Sequence, residues 1–219
     1  MSSRVIHLRR PATLSVVDEP FVPRDISLDE IERRWQEACR DNPTLYDGRL
    51  LHVIGVHRNG YGGAVLHVAP CSYRFHVVQA TDLDLGVRPL GVKGITQHIQ
   101  NDGILLGKRS RNVTYYPGEW EFAPGGVVEP DISPKHAIAE ELREETGLTA
   151  AHDPVPVAVV YDDVIQCWEM VFHIVSHGDL RRAEDEYDAL EWVNQNDLPE
   201  SLSPAAREIA TVLPRTDLK

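Results

Sequence analysis

The sequence predicts an α/β protein in two parts: a small α+β module over residues 1–86, then a mixed sheet covered by helices over 87–219. Three observations carry this. In the second part, strand-like runs lie before and after one sharply bounded helix, a pattern that puts helices on the face of a mixed sheet. The first part has a capped amphipathic helix and a hairpin signal of its own. The composition is that of a globular chain, with 42% hydrophobic and 26% charged residues over 219 positions, ample to bury a core.

The elements follow in order. Residues 4–9 read as a short strand, and Pro20 and Pro23 keep the next segment extended. Ser27-Leu28-Asp29-Glu30 is a capping box. It opens a helix whose apolar stripe is Leu28, Ile31, Trp35 and Ala38/Cys39, stopped at Asn42-Pro43 and followed by a turn at Asp47-Gly48. RLLHVIGVHR and GAVLHVA, separated by Asn59-Gly60-Tyr61-Gly62-Gly63, form a hairpin. SYRFHVVQATDLDLG reads as a polar connection leading out of it. Strands are expected at 88–98, 103–108, 119–122, 155–161, 166–176 and 188–193, with helices at 134–146 and 203–213. Nothing rich in Pro, Gly or Ser marks the boundary near residue 87.

Charge and cysteine usage narrow the function. With 22 Lys+Arg against 34 Asp+Glu the net charge is -12, which disfavours docking on nucleic acid or an anionic membrane. No apolar run reaches the roughly 18–20 residues of a membrane helix, and the N-terminus lacks the apolar stretch of a signal peptide. Cys39, Cys71 and Cys167 are odd in number and far apart, as expected of reduced thiols in a cytoplasm. Neither a disulfide frame nor a structural zinc site is expected.

The chemistry concentrates at 125–148. Pro124, Gly125 and Gly126 follow the strand Trp120-Glu121-Phe122 in a loop able to aim backbone groups inward. Ser133 is the expected N-cap, Pro134 the first helical residue and Gly147 the stop. Between them, Glu141, Glu144 and Glu145 share an arc of roughly 100°, with Glu140 one turn before Glu144. Such carboxylates repel each other on a bare helix, whereas a Mg²⁺ or Mn²⁺ ion would draw them together. A solvated acidic face is the bland alternative.

The segment from Gly126 to Gly147-Leu148 resembles the Nudix signature: Gly, five residues, Glu, seven residues, Arg-Glu-apolar, one residue, Glu-Glu, one residue, Gly-apolar. Glu141, Leu142, Glu144, Glu145, Gly147 and Leu148 match; Ile132 replaces the first glutamate and Glu140 the arginine. The resemblance implies an α/β/α sandwich and Mg²⁺- or Mn²⁺-dependent hydrolysis of a nucleoside diphosphate linked to another group. It implies Glu144 and Glu145 as metal ligands, helped by the carbonyl of Gly125 or Gly126, and Glu141 as ligand or general base. Ile132 removes a supporting carboxylate that Glu129 or Asp131 could replace, and Glu140 cannot orient Glu141 as an arginine would.

Trp35, Asn42-Pro43, Leu45-Tyr46-Asp47-Gly48, Ser72-Tyr73-Arg74 and Pro89-Leu90-Gly91-Val92 resemble the vertebrate UDP-glucose pyrophosphatases and their relatives within that superfamily. This implies a nucleoside diphosphate sugar as substrate and an N-terminal module that shapes the pocket or a homodimer interface. The rival is a non-catalytic nucleotide-sugar sensor, or a partner-binding domain on an altered scaffold.

Other candidates lie outside that segment. Lys108, Arg109 and Arg111 precede Tyr115-Tyr116; Arg109 and Arg111 are candidates for the substrate's phosphates and Tyr116 for the base. An exposed basic loop is the alternative. Trp120 and Phe122 read as strand core. Glu184 or Glu186, before the strand YDALEWV, is the candidate for a late carboxylate, and Asp162-Asp163 ends an earlier strand. His52, His57 and His67 read as half-buried packing, and His136 as a cap or solvent-facing residue.

Overall fold

The computed structural model describes residues 4–24, 26–182 and 186–213. Two sheets and four helices are built from them. β1 (Arg4–His7) and β2 (Thr13–Val16) lead to α1 (Leu28–Asp41). The hairpin β3 (Arg49–Arg58) and β4 (Ala64–Ser72) runs directly into α2 (Tyr73–Asp82). There follow β5 (Leu90–His98), β6 (Asn101–Arg109), β7 (Trp120–Phe122), β8 (Gly125–Val127) and α3 (Pro134–Thr146). The remainder is β9 (Thr149–Ala150), β10 (Val155–Asp162), β11 (Cys167–His177), β12 (Tyr187–Val193) and α4 (Pro204–Ala210).

The larger sheet is mixed, in the order β1-β10-β11-β5-β6-β12, with β7 on β6, β8 on β5 and β9 on β11. Among the described residues, only β11 and β5 pair as parallel strands within it. The smaller sheet is β2-β4-β3. β1, which the division at residue 86 counts with the N-terminal module, is an edge strand of the larger sheet, pairing Arg4–His7 with Ala158–Tyr161. Its alternating pattern could not show which sheet it would join.

Three further expectations are corrected. Residues 73–82 form α2 rather than a polar connection: Tyr73 N–H is tied to Gly48 O and Arg74 N–H to Asp47, which starts the helix without a side-chain cap from Ser72. Residues 125–127 form β8 rather than an open loop, because Gly125-Gly126 can lie flat against Lys93 and Val92 of β5. The closing helix ends at Ala210, short of residue 213.

α3 has the expected ends. Ser133 Oγ accepts from His136 N–H, Pro134 opens the helix, and Gly147 closes it in the left-handed region at φ 71°. α1 is capped in the same way by Ser27, which accepts from Glu30 N–H.

The two parts share one core. Leu51, Val53, Leu66 and Val68 of the small sheet cluster with Leu90, Val92, Ile138 and Leu142. A second cluster packs α4 on the other face of the large sheet, and a third lies beneath α1 and α2. Main-chain bonds seal the seam: Leu51 N–H to Val128 O, and Val53 N–H to Arg88 O. His52 Nδ1 accepts from Arg88 N–H at 2.9 Å, so this buried ring is a latch between the parts. No helix among the described residues is long and apolar enough to cross a membrane.

One irregularity positions the site. β5 and β6 pair only near their hairpin, at Gln97–Ile104 and His98–Asn101. Beyond that point β8 continues the sheet on β5 and β7 continues it on β6. The sheet therefore splits, and polar side chains gather in the crevice.

Candidate active site

α3 lays two carboxylates against the glycine strand. Gly125 N–H donates to Glu145 Oε2 at 3.2 Å, and Tyr187 OH donates to the same oxygen at 3.0 Å. Glu141, one helical turn earlier, crosses Gly126 so closely that a β-carbon there would overlap its Oε1. Glycine at 126 is thus what lets Glu141 lie where it does. Glu144 stands apart: its side chain is 65% exposed and takes a contact from Arg143 at 3.3 Å. Of the three glutamates implied as metal-binding, the fold brings Glu141 and Glu145 together and leaves Glu144 at the rim.

Both inner carboxyls resist ionisation. Burial, then Glu144 and Glu186, pushes Glu141 up to about 7. Burial, then Glu186 and Glu141, pushes Glu145 up to about 8. Glu186, the candidate for a late carboxylate, lies on the chain entering β12, and Arg109 holds it through a 2.5 Å ion pair. Glu184 lies outside the described residues.

The floor of the crevice is a buried charge cluster that sequence reasoning missed. Lys93 Nζ lies 3.2 Å from Glu121 Oε2 and 3.8 Å from Glu169 Oε1. Burial opposes the Lys93 ammonium, but Glu121 and Glu169 outweigh it and hold the charge in place. Arg109 Nε joins Glu121 at 3.7 Å. Burial, partly offset by Lys93, raises Glu169 to about 7, and its Oε2 has no hydrogen-bond partner. A β-carbon on Gly125 would come within 2.6 Å of Lys93 Nζ, so the lysine also sits under the glycine strand. The available signal was one ionisable residue inside each apolar run: Lys93 in LGVKGIT, Glu121 in WEF and Glu169 in CWEMVF.

Several expected residues lie elsewhere. Tyr116 is not a base platform: its ring is buried and its hydroxyl donates to Asp162 at 2.7 Å. Asp162 in turn accepts Val164 N–H and shapes a turn, while Asp163 faces solvent. Arg111 is exposed on the loop after β6, outside the crevice, and Lys108 is half-buried. Arg109 is committed to Glu186 and Glu121 and acts through them. Ile132 packs on the main core, and Glu140 meets His136 at 3.3 Å on the outer face of α3. Asp131 faces solvent near Arg49, whereas Glu129 lines the cavity beside Glu141. Phe122 is core, as read from the sequence, and Trp120 packs beside it. His52 is fully packed rather than half-buried; His57 and His67 stack on each other at 4.9 Å. All three cysteines are free, and burial pushes the Cys71 thiol up to about 12, so thiolate chemistry has no support.

A cavity of about 350 Å³ opens from Glu141. Val127 and Glu129 form one wall, and Leu45, Tyr46, Arg49 and Tyr73 of the N-terminal part form the other. Among the described residues no group of three or more His, Cys, Asp or Glu converges to hold a metal ion. The two carboxylates of Glu141 and Glu145 lie against the Gly125-Gly126 backbone, and carboxylate oxygens of this kind suit a hard divalent cation, which binds few protein oxygens and completes its shell with water and phosphate. The glycine cradle under Glu141 and the reluctance of Glu141 and Glu145 to ionise unaided point the same way.

A glycine strand feeding a glutamate-bearing helix across a split mixed sheet defines a recognisable class. Residues 92–215 match the model of the NUDIX domain, more than half of the chain, and the protein belongs to the Nudix family. A MutT-like protein of Streptomyces ambofaciens is 30% identical over 106 residues, covering 48% of this chain and 64% of that one. The CTP pyrophosphohydrolase of Escherichia coli is 51% identical over 53 residues, 24% of this chain and 38% of that one. The matched part is thus less than two thirds of either relative. The MutT Nudix hydrolase of Burkholderia pseudomallei superposes with a TM-score of 0.51 at 25% identity, covering 58% of this chain and 98% of that structure. A Deinococcus radiodurans protein at 17% identity shares the fold, with a TM-score of 0.51 over 74% of this chain and 97% of its own.

Proposed function

We propose that this protein is a divalent-cation-dependent hydrolase that cleaves the pyrophosphate of a nucleoside diphosphate linked to a second group. That group is a sugar on this reading, so the products are a nucleoside monophosphate and a sugar phosphate. The observation that carries it is the pairing of Glu141 and Glu145 against Gly125-Gly126 at the mouth of a cavity.

Glu145 and the Gly126 carbonyl would hold Mg²⁺ or Mn²⁺, with Glu144 joining from the rim and Glu141 standing beside the cation rather than on it. When bound, the cation neutralises charge on the phosphate oxygens and lowers the pKa of water. Glu141 is the candidate general base: a carboxyl raised to about 7 is tuned to take a proton near neutral pH. One water attacks phosphorus, its proton passes to Glu141 Oε1, and the bridging P–O bond breaks. Glu145 is fixed through Oε2 by Gly125 N–H and Tyr187 OH, which leaves the carboxyl little rotational freedom. Glu186 adds negative charge, and Arg109 restrains it. Neither altered signature position touches this pair directly: Ile132 packs against the core, and Glu140 pairs with His136 on the outer face and adds only the smallest of the charge effects that raise Glu141. That observation favours a hydrolase over a sensor.

The likeness to a CTP pyrophosphohydrolase favours a second substrate reading, in which a nucleoside triphosphate releases pyrophosphate by the same chemistry. Free thiols and an acidic chain suit a cytoplasmic enzyme acting on small molecules, without nucleic acid or membrane as partner. Chromatography of the products from UDP-, CDP-, ADP- and GDP-glucose and from CTP, with Mg²⁺ or Mn²⁺, tests the proposal. Release of a nucleoside monophosphate and a sugar phosphate supports it. Turnover of CTP alone would move the assignment to the triphosphate, and no turnover of any member would overturn it.

A further inference from the structure

The cavity at Glu141 does not end at the catalytic carboxylates. Leu45 and Tyr73 line it and also line a second recess of about 470 Å³, walled by α1, α2 and the loop before β7. The recess is faced with rings: Tyr73 and His76 have centroids 6.0 Å apart, and His76 and Tyr115 lie 6.4 Å apart. We infer that this recess, built mainly from the N-terminal part, takes the nucleobase while the phosphates lie at Glu141. The inference rests on the pyrophosphatase reading above.

Charge fixes the direction. The rings of the recess are uncharged, since burial raises both tyrosines and lowers His76 to about 4. Its rim carries Glu37 and Asp41, which repel a polyphosphate, and Arg34, whose charge is taken up by Glu30 at 2.8 Å. The other end has Arg49 and the proposed cation site. With a cation balancing Glu129 and Glu141 there, a ligand with an aromatic end and an anionic end is favoured with its rings in the recess and its phosphates at Glu141. Aromatic side chains offer faces to any base, and hydrogen-bonding groups add preference. The Asn42 side chain supplies such a group. Its Oδ1 accepts both Thr44 N–H at 3.1 Å and Thr44 OH at 2.6 Å, which orients its NH₂ as the donor.

Residues 92–215 carry the family match, so most of this wall lies outside it: Asn42, Leu45, Tyr73 and His76 precede residue 92. Base selectivity would then reside in the N-terminal part and hydrolysis in the family domain.

Two variants test this. Tyr115→Ala removes a ring, and Ala38→Phe fills the recess from α1 while leaving every ring in place. Thermal melts check that both fold. The readouts are KM and kcat on UDP-, CDP-, ADP- and GDP-glucose, and calorimetric binding of UMP, CMP, AMP and GMP without cation. The expected result is a rise in KM of about tenfold or more that exceeds any fall in kcat, weaker monophosphate binding, and a flattened preference among the four bases. Unchanged KM, binding and base preference in a folded Ala38→Phe variant would overturn the inference while leaving the hydrolase intact. A wild-type protein that turns over none of the substrates, yet binds a monophosphate that both variants weaken, would sink the hydrolase reading and uphold the recess.

Discussion

Glu141 and Gly126 are in contact across the α3–β8 interface, with the carboxylate occupying the space a β-carbon would need. Gly126 keeps ordinary backbone angles, so alanine there strains no dihedral and acts only by displacing Glu141. Gly126→Ala is expected to lower kcat by about 100-fold or more, the effect of a misplaced catalytic group. Gly55→Ala, where nothing lies within 4 Å, should leave kcat unchanged and serves as the control. Steady-state kinetics on the two variants check this.

Glu145→Gln should remove activity and raise stability. The native carboxyl ionises only near 8 because it is buried, so at pH 8 and above its charge opposes folding. Its raised pKa means that stability is full below the unfolded value near 4.5 and is lost as pH rises through about 8. Glutamine keeps an acceptor for Gly125 N–H and Tyr187 OH without that charge. A gain of up to about 4 kcal/mol at pH 8 without cation is expected. Added Mg²⁺ should stabilise the native protein more than the variant, since only the native site binds it well. Urea unfolding with and without Mg²⁺ measures both effects.

Acid should open the seam between the two parts. His52 and His76 are held down to about 4 mainly by burial, and His52 Nδ1 must stay unprotonated to accept Arg88 N–H. Depressed histidines contribute stability that is present above the unfolded value near 6.5 and is lost as pH falls through about 4. His52→Gln should flatten part of this acid limb. Unfolding midpoints from pH 7 to 4 would show whether it does.

Lys93→Met should be among the most damaging substitutions in the chain. It strands Glu169 in a buried site without its cation and leaves Glu121 only the longer contact to Arg109, at a cost of about 3–5 kcal/mol. A Lys93→Met, Glu169→Gln double variant should recover part of that loss, as denaturant unfolding would reveal.

Local signals made α3 legible to the residue: Ser133, Pro134 and Gly147 act within one turn of its ends. They also made legible that Glu141 and Glu145 share a face. α2 escaped because its start is fixed by Asp47 and Gly48, far away in sequence, and Ser72 does not cap it. β8 escaped because two glycines carry no strand propensity, and only pairing with β5 makes them one. The Lys93, Glu121 and Glu169 cluster was invisible for a similar reason. Each residue sits alone in an apolar strand, and the split between β5 and β6 brings them together. Tyr116 misled because an aromatic residue beside arginines suggests stacking, whereas its partner is Asp162, donated by a distant strand.

The most direct measurement is phosphorus NMR of UDP-glucose turnover with and without Mg²⁺, for the native protein, Glu141→Gln and Glu145→Gln. The expected record shows UMP and glucose 1-phosphate forming only in the native sample with Mg²⁺. Equal turnover in either variant, or in the native protein after chelation, would contradict the assignment of chemistry to the paired carboxylates.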